Sequence, residues 1–310
     1  MPKTLDSSPS ILPLYARAAL PMIPGAGRLP FVPGGGGEIP DGLDLELSGV
    51  VARPEDVAAY ARVCGFAFRD TLPPTYPHML AFPLHMAVMS DGRFPFGAVG
   101  LVHVSNAIAQ KRPIGIGEEM TIRVGPTKLQ PHPKGRTFSL QTEVLVDGEV
   151  VWESVSTMLR RGRGDEEAKQ EKGFDALPAD TPASAEWKLD GGLGRRYGGV
   201  SGDRNPIHMH SLTAKPLGFP SAIAHGMWTK ARALAQLESR LPDGFEVEVR
   251  FRKPILLPAK VEFASAEQGE EILFAVRDAR KGTPHLDGRV QRLKAGSRSK
   301  TAKTGRNKTK

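Results

Sequence analysis

The chain has 310 residues, 40% of them apolar and 25% charged, which suits one large or two small globular domains and leaves no apolar run long enough to span a bilayer. Its single cysteine, Cys64, rules out an internal disulfide framework and a zinc–cysteine site, and within Ala61-Arg-Val-Cys-Gly-Phe-Ala-Phe68 it reads as a small buried apolar residue. The formal charge of +8 is a tail property: residues 294–310 carry seven Lys or Arg and no acid, so the remainder is nearly neutral and gives no ground for a specific nucleic-acid partner.

In chain order, Met1-Pro-Lys-Thr-Leu-Asp lacks the basic start and apolar stretch of a secretory leader, so a cytoplasmic protein is expected. Residues 1–40 include a Pro- and Gly-rich run from Pro21 to Pro40, expected to wrap over the surface. A first unit is expected over 41–160. It contains Leu72-Pro-Pro-Thr-Tyr-Pro-His-Met-Leu-Ala-Phe-Pro-Leu-His-Met86, then a strand-like run at Val104 that meets Lys111-Arg-Pro-Ile114, turns at Gly and resumes to Val124. Thr137–Val146 and Val150–Leu159, joined at Asp147-Gly148, predict an antiparallel hairpin. The charged and turn-rich stretch 161–185 reads as a linker.

The second unit, 186–293, reads as a degenerate copy of the first. Leu217–Met227 echoes Leu72–Met86, which sets Leu84-His-Met86 opposite Ala224-His-Gly-Met227. A helix is predicted over Trp228–Leu241, with Leu234, Leu237 and Leu241 at helical spacing before Pro242. Phe245–Phe263 repeats the Pro-Ile pattern, and Glu271–Asp278 with Pro284–Val290 repeats the hairpin. One helix with four or five antiparallel strands per unit is an α+β pattern. The tail 294–310 has almost nothing apolar to bury and is expected to be disordered.

The chemistry concentrates in Tyr197-Gly-Gly-Val-Ser-Gly-Asp-Arg-Asn-Pro-Ile-His208 and Pro220-Ser-Ala-Ile-Ala-His-Gly-Met227. Gly202, Asp203, Asn205 and Pro206 interrupt regular structure, so Asp203 belongs on a loop and Pro206 at the start of the next element. Asp203 and His208, five residues apart, can hold a water between them, orient the imidazole tautomer and move a proton near neutral pH. Taken singly, such an Asp is a turn-former and such a His a structural residue. His208-Met-His210 lacks a third metal ligand at matching spacing, and Gly191-Gly-Leu-Gly194 is not followed by a dinucleotide-binding βα pattern and reads as a loop. No metal or cofactor is therefore expected. His78 and His85 read as packing residues.

The whole string closely resembles the signature of the MaoC-like (R)-specific enoyl-thioester hydratases and 3-hydroxyacyl-thioester dehydratases. The resemblance covers most of residues 40–290 and is more motif-specific in the second half. It implies a tandem (double) hotdog fold, each sheet curled around a central helix. It also implies a hydro-lyase acting on an acyl-CoA or acyl-carrier-protein thioester without a cofactor. By position, Asp203 and His208 match the catalytic pair, Gly226 the glycine whose N–H faces the thioester carbonyl, and Asn205 and Pro206 the loop-shaping residues. Tyr197, Ser201, Gly202 and His225 complete the match. One departure is Leu234, where some members carry a Ser eight residues after that glycine. The first unit lacks the string and is read as having kept an acyl-chain-binding role; a homodimer is also compatible. A hotdog thioesterase and a catalytically silent acyl-thioester-binding module stand as alternatives.

Overall fold

The computed structural model describes residues 1–20, 32–34, 36–98, 100–168 and 173–293. Most of the Pro/Gly-rich stretch expected to wrap the surface (21–31 and residue 35), part of the linker (169–172) and the basic tail at 294–310 lie outside the described residues. Among the described residues no helix is long and apolar enough to cross a membrane.

The first half runs β1 (Lys3–Leu5), α1 (Ile11–Ala19), β2 (Leu45–Val50), α2 (Pro54–Cys64), α3 (Tyr76–Met89), β3 (Leu101–Gln110), β4 (Met120–Pro126), β5 (Gln130–His132), β6 (Gly135–Val146) and β7 (Glu149–Arg161). The second runs β8 (Ala185–Leu189), α4 (Leu193–Ser201), α5 (Pro206–Met209), α6 (Ser211–Ala214), α7 (Gly226–Leu237), β9 (Phe245–Phe251), β10 (Ala259–Gln268), β11 (Glu271–Asp278) and β12 (Pro284–Arg292). The architecture is α+β. Two compact units are present: the described residues of 1–51, 77–104 and 118–171, and those of 52–76, 105–117 and 172–310. These cut across the expected spans 41–160 and 186–293, because two segments of the first half belong to the second unit.

In the first unit the strand order is β1-β2-β4-β6-β7, with β5 on β6. The β6–β7 hairpin turns at Asp147 (φ 50°) and Gly148 (φ 79°), the left-handed pair that a two-residue hairpin turn requires. Phe138, Leu140, Thr142 and Val144 are buried at every second position of β6.

In the second unit β3 (from Ser105), β9, β12, β11, β10 and β8 pair in that order, antiparallel throughout. α7 packs on β11 and buries Trp228, Ala231, Leu234 and Leu237, while the sheet contributes Val247, Phe263, Phe274 and Val276 to the core. Leu234 is thus a core residue. α2 begins with Pro54, Glu55 and Asp56, suited to a helix N-terminus, and ends at Gly65 in the left-handed region (φ 85°). It packs against α4 and α7, and the Trp228 indole N–H donates to the Val63 carbonyl at 3.0 Å.

The expected linker is not free chain beyond residue 173. Phe174 and Leu177 are buried against Ala264, Leu273 and Ala275. Arg250 lies 4.2 Å over the Phe174 ring and donates to the Phe174 carbonyl, and Arg277 donates to the carbonyls of Ala179 and Thr181. Two apolar anchors and two arginine forks turn a charged, turn-rich sequence into a strap.

The internal echo holds in a different register from the one the letters suggest. Thr71 bridges Gly115, and Ile223 bridges Leu256, both antiparallel. Leu72 N–H donates to Ile114 O and Ile116 N–H to Asp70 O; likewise Ala224 N–H donates to Ile255 O and Leu257 N–H to Ala222 O. Leu72 therefore stands opposite Ala224, and Pro73-Pro74-Thr75 occupies the lead-in to α3 where His225-Gly226 opens α7. Leu84-His-Met86 instead lies within α3.

Candidate active site

α4 carries Gly194, Gly198 and Gly199, a composition unfavourable for a helix. Tertiary packing overrides it: Leu193, Gly194, Tyr197, Gly198 and Ser201 form its buried stripe. The glycines are needed for close approach. A Cβ on Gly194 would lie 1.9 Å from the His208 carbonyl oxygen, and one on Gly198 2.8 Å from the Asp203 carbonyl oxygen. The run expected to be a loop is a turn at Gly191-Gly192 that enters this helix at Leu193, and Gly194 seats the His208 backbone.

Gly202 closes α4 in the left-handed region (φ 76°), its N–H on the Gly198 carbonyl. The chain then turns as its sequence requires. Ser201 Oγ accepts from Asp203 N–H at 3.1 Å, and Asp203 Oδ1 accepts from Asn205 N–H at 3.1 Å. Asn205 caps α5, its Oδ1 accepting from Ile207 N–H, and Pro206 takes the first helical position. Asp203 is both a turn-former and a partly exposed carboxylate; its Oδ2 remains 3.8 Å from the His225 Nε2.

The two imidazoles have complementary proton arrangements. His208 Nδ1 lies 2.8 Å from the Ile223 carbonyl, and His225 Nε2 lies 2.9 Å from the Asp203 carbonyl. A carbonyl can only accept, so His208 carries its proton on Nδ1 and presents a bare Nε2, whereas His225 is protonated on Nε2. The rings stack with centroids 3.6 Å apart. Burial lowers the His208 pKa, with Asp203 and the Ile223 carbonyl opposing. Burial and the neighbouring His208 push His225 down to about 3, with Asp203 opposing. Both are neutral at neutral pH.

One ligand-type atom from each of Asp203, His208 and His225 lies within 4.8 Å of the others. Two groups sharing one bridging water stand up to about 5.6 Å apart, so the spacing suits a held water. It does not suit a metal: imidazole lone pairs lie in the ring planes, and two rings stacked at 24° aim theirs side by side rather than at one point. His210 is not part of this cluster, since its Nδ1 accepts from Leu212 N–H at the start of α6.

Gly226 is the first residue of α7, where main-chain N–H groups have no intrahelical acceptor and the helix dipole is positive. A Cβ there would meet the Phe251 ring at 2.9 Å. Tyr197 is buried with its ring 4.8 Å from that of His225 and 6.2 Å from that of Tyr60, whose hydroxyl donates to Thr75 Oγ1 at 2.8 Å. The structure thus brings together Tyr197, Ser201, Gly202, Asp203, Asn205, Pro206, His208, His225 and Gly226. Sequence reasoning missed Gly194, Gly198 and Tyr60; the glycine spacing over one helical turn was the available signal for the first two.

Residues 181–288 match the MaoC like domain family. Over 278 residues the chain is 37% identical to 3-hydroxyacyl-thioester dehydratase X of Mycobacterium tuberculosis, covering 90% of this chain and 95% of that protein. The crystal structure of HtdX from Mycobacterium tuberculosis is similar at a TM-score of 0.72 and 36% identity, over 81% of this chain and 100% of that one. A MaoC-like dehydratase from Phytophthora capsici shares the fold at 20% identity and a TM-score of 0.68, over 82% and 97% of the two chains.

Proposed function

The chain belongs to the family of MaoC-like hydratases and 3-hydroxyacyl-thioester dehydratases, and on that premise we propose that it interconverts (R)-3-hydroxyacyl thioesters and trans-2-enoyl thioesters. The tautomer of His208 carries the reading. Its Nδ1–H is held by the Ile223 carbonyl, which leaves Nε2 as a neutral base on a ring that clusters with the Asp203 carboxylate. In hydration, water held between the two gives a proton to His208 Nε2 as its oxygen bonds to C3. The electron pair of the double bond moves onto the thioester oxygen, and the pair then returns a proton to C2 on the same face. Dehydration runs these steps backwards.

The developing enolate needs a donor in place before the reaction. Gly226 N–H at the head of α7 supplies one, and such a donor is worth about 3 kcal/mol. His225, donating to the Asp203 carbonyl and stacked on His208, holds both partners in place. The acyl group is carried on CoA or an acyl carrier protein. The two halves are read as tandem hotdog units, with the first retaining an acyl-chain-binding role.

The test is loss of enoyl ultraviolet absorbance with trans-2-enoyl-CoA of short and long chain, repeated on carrier-protein thioesters, with chiral analysis of the product. Formation of the (R)-alcohol, lost in Asp203→Asn and His208→Ala, is the expected result. Release of free thiol with enoyl absorbance intact would replace this reading by thioester hydrolysis; binding without either change would replace it by a silent binding module.

A further inference from the structure

Lys230 lies in Trp228-Thr-Lys-Ala-Arg232, a stretch whose polar residues resemble a solvated helix face, yet it is fully buried. Its Nζ donates to Asn106 Oδ1 at 2.5 Å, to the Asn106 carbonyl at 3.1 Å and to the Val247 carbonyl at 3.2 Å. Three acceptors match the three N–H bonds of an ammonium; a neutral amine would point a lone pair at one of them. Asn106 and Val247 sit on the adjacent strands β3 and β9. Burial pushes the Lys230 pKa well below its ordinary value, Glu248 and Glu246 of β9 oppose that shift, and the three acceptors favour the charged form.

A buried ammonium is costly unless every donor is met, so this contact is satisfied at one depth and one rotation of α7. Lys230 follows Gly226 by four residues, and in an α-helix its main-chain N–H bonds the Gly226 carbonyl. Gly226 has no side chain with which to anchor itself. We propose that Lys230 is a positioning residue of the thioester site: its ammonium, tied to Asn106 and Val247, sets α7 so that the Gly226 N–H aims at the thioester oxygen. The inference rests on the reading of Gly226 as the oxyanion donor. It adds the residue that fixes that donor's direction from inside the core.

Lys230→Met keeps the length of the side chain and removes its donors. On folded protein, kcat on the enoyl thioester is expected to fall at least tenfold with KM within twofold of wild type. Amide hydrogen exchange at Met227–Lys230 should speed up at least tenfold relative to Ala233–Leu237. The inference is overturned if either quantity stays within twofold of wild type. Asn106→Leu removes one acceptor and leaves the lysine, and about a threefold change in both quantities is expected. Should Lys230→Met fail to fold, Asn106→Leu decides by the same criterion. Wild-type turnover tests the reading of the function on its own, and the exchange measurement requires no turnover, so the two failures are told apart.

Discussion

The lead-in to α3, Asp70-Thr-Leu-Pro-Pro-Thr-Tyr76, and the lead-in to α7, Ala222-Ile-Ala-His-Gly-Met227, hang from their neighbouring Pro-Ile segments by matching main-chain hydrogen bonds. The difference lies in the residues that come after the shared frame. At α7 a histidine and a glycine offer an imidazole and an N–H. At α3, Pro73, Pro74 and Pro77 have no N–H to offer, and the Tyr76 N–H is bonded to the Pro73 carbonyl. A helix start becomes an oxyanion site only if its first residues keep their donors and approach closely. The lead-in to α3 keeps the geometry of attachment and has a proline, without an N–H, at the position aligned with Gly226.

The contrast breaks most severely at the partner loop. His208→Ala removes the proposed base, which has no counterpart at the α3 lead-in, and kcat should fall by about 10²- to 10⁴-fold with the fold intact by circular dichroism. Asp203→Asn should fall in the same range.

Copying the α3 lead-in onto that of α7 comes next. His225 already holds the extended backbone that precedes proline (ψ 136°), and proline is tolerated at a first helical position. In a Phe251→Leu background that makes room, Gly226→Pro should lower kcat by about 10²- to 10³-fold. Gly226→Ala in the same background keeps the N–H and should recover most of the loss. Equal rates in the two would show that the donor is not used.

Gly194→Ala sharpens the comparison at the backbone. Its methyl would collide with the His208 carbonyl, and a loss of about 1–3 kcal/mol in denaturant unfolding is expected together with reduced kcat.

A milder effect is read with pH. His225 and His208 titrate below the ordinary 6.5 when folded, and His85 in the first unit, buried and beside His103, is likewise pushed down to about 3. As pH falls below 6.5 the unfolded chain takes up protons that the folded one refuses, so stability should decline from there towards pH 3. Melting temperatures at pH 7.5 and 5 measure the decline, and His85→Gln should reduce it. The smallest effect belongs to Pro73→His with Pro74→Gly. Restoring donors to the silent lead-in should give no activity in a His208→Ala background, because no carboxylate–imidazole loop accompanies it.

Much of this was legible in the letters. Asp147-Gly148 specified its hairpin, because few residues accept two left-handed positions. The Asp203 loop was legible because Gly202, Asp203, Asn205 and Pro206 favour turns over regular structure. The register of the echo was not, since His85 and His225 match as letters while the hydrogen-bond frame aligns Leu72 with Ala224. α4 was hidden by its glycines, which weaken a helix in isolation and serve it once packed. The strap was hidden because Phe174 and Leu177 are two apolar residues in a charged stretch, and their partners lie about a hundred residues away in sequence.

The make-up of the second unit, drawn from both halves of the chain, bears on how such a protein can be cut and recombined. A gene fragment beginning at the strap would encode all of the Asp203–Gly226 chemistry. It would nevertheless leave β9 as a bare edge without Ser105–Gln110, and α4 without α2 to cover its buried stripe. An uncovered edge recruits other chains. The half that carries the proposed site is therefore not a portable module, and transplantation of that site should involve the chain from before α2 onwards, as one indivisible block.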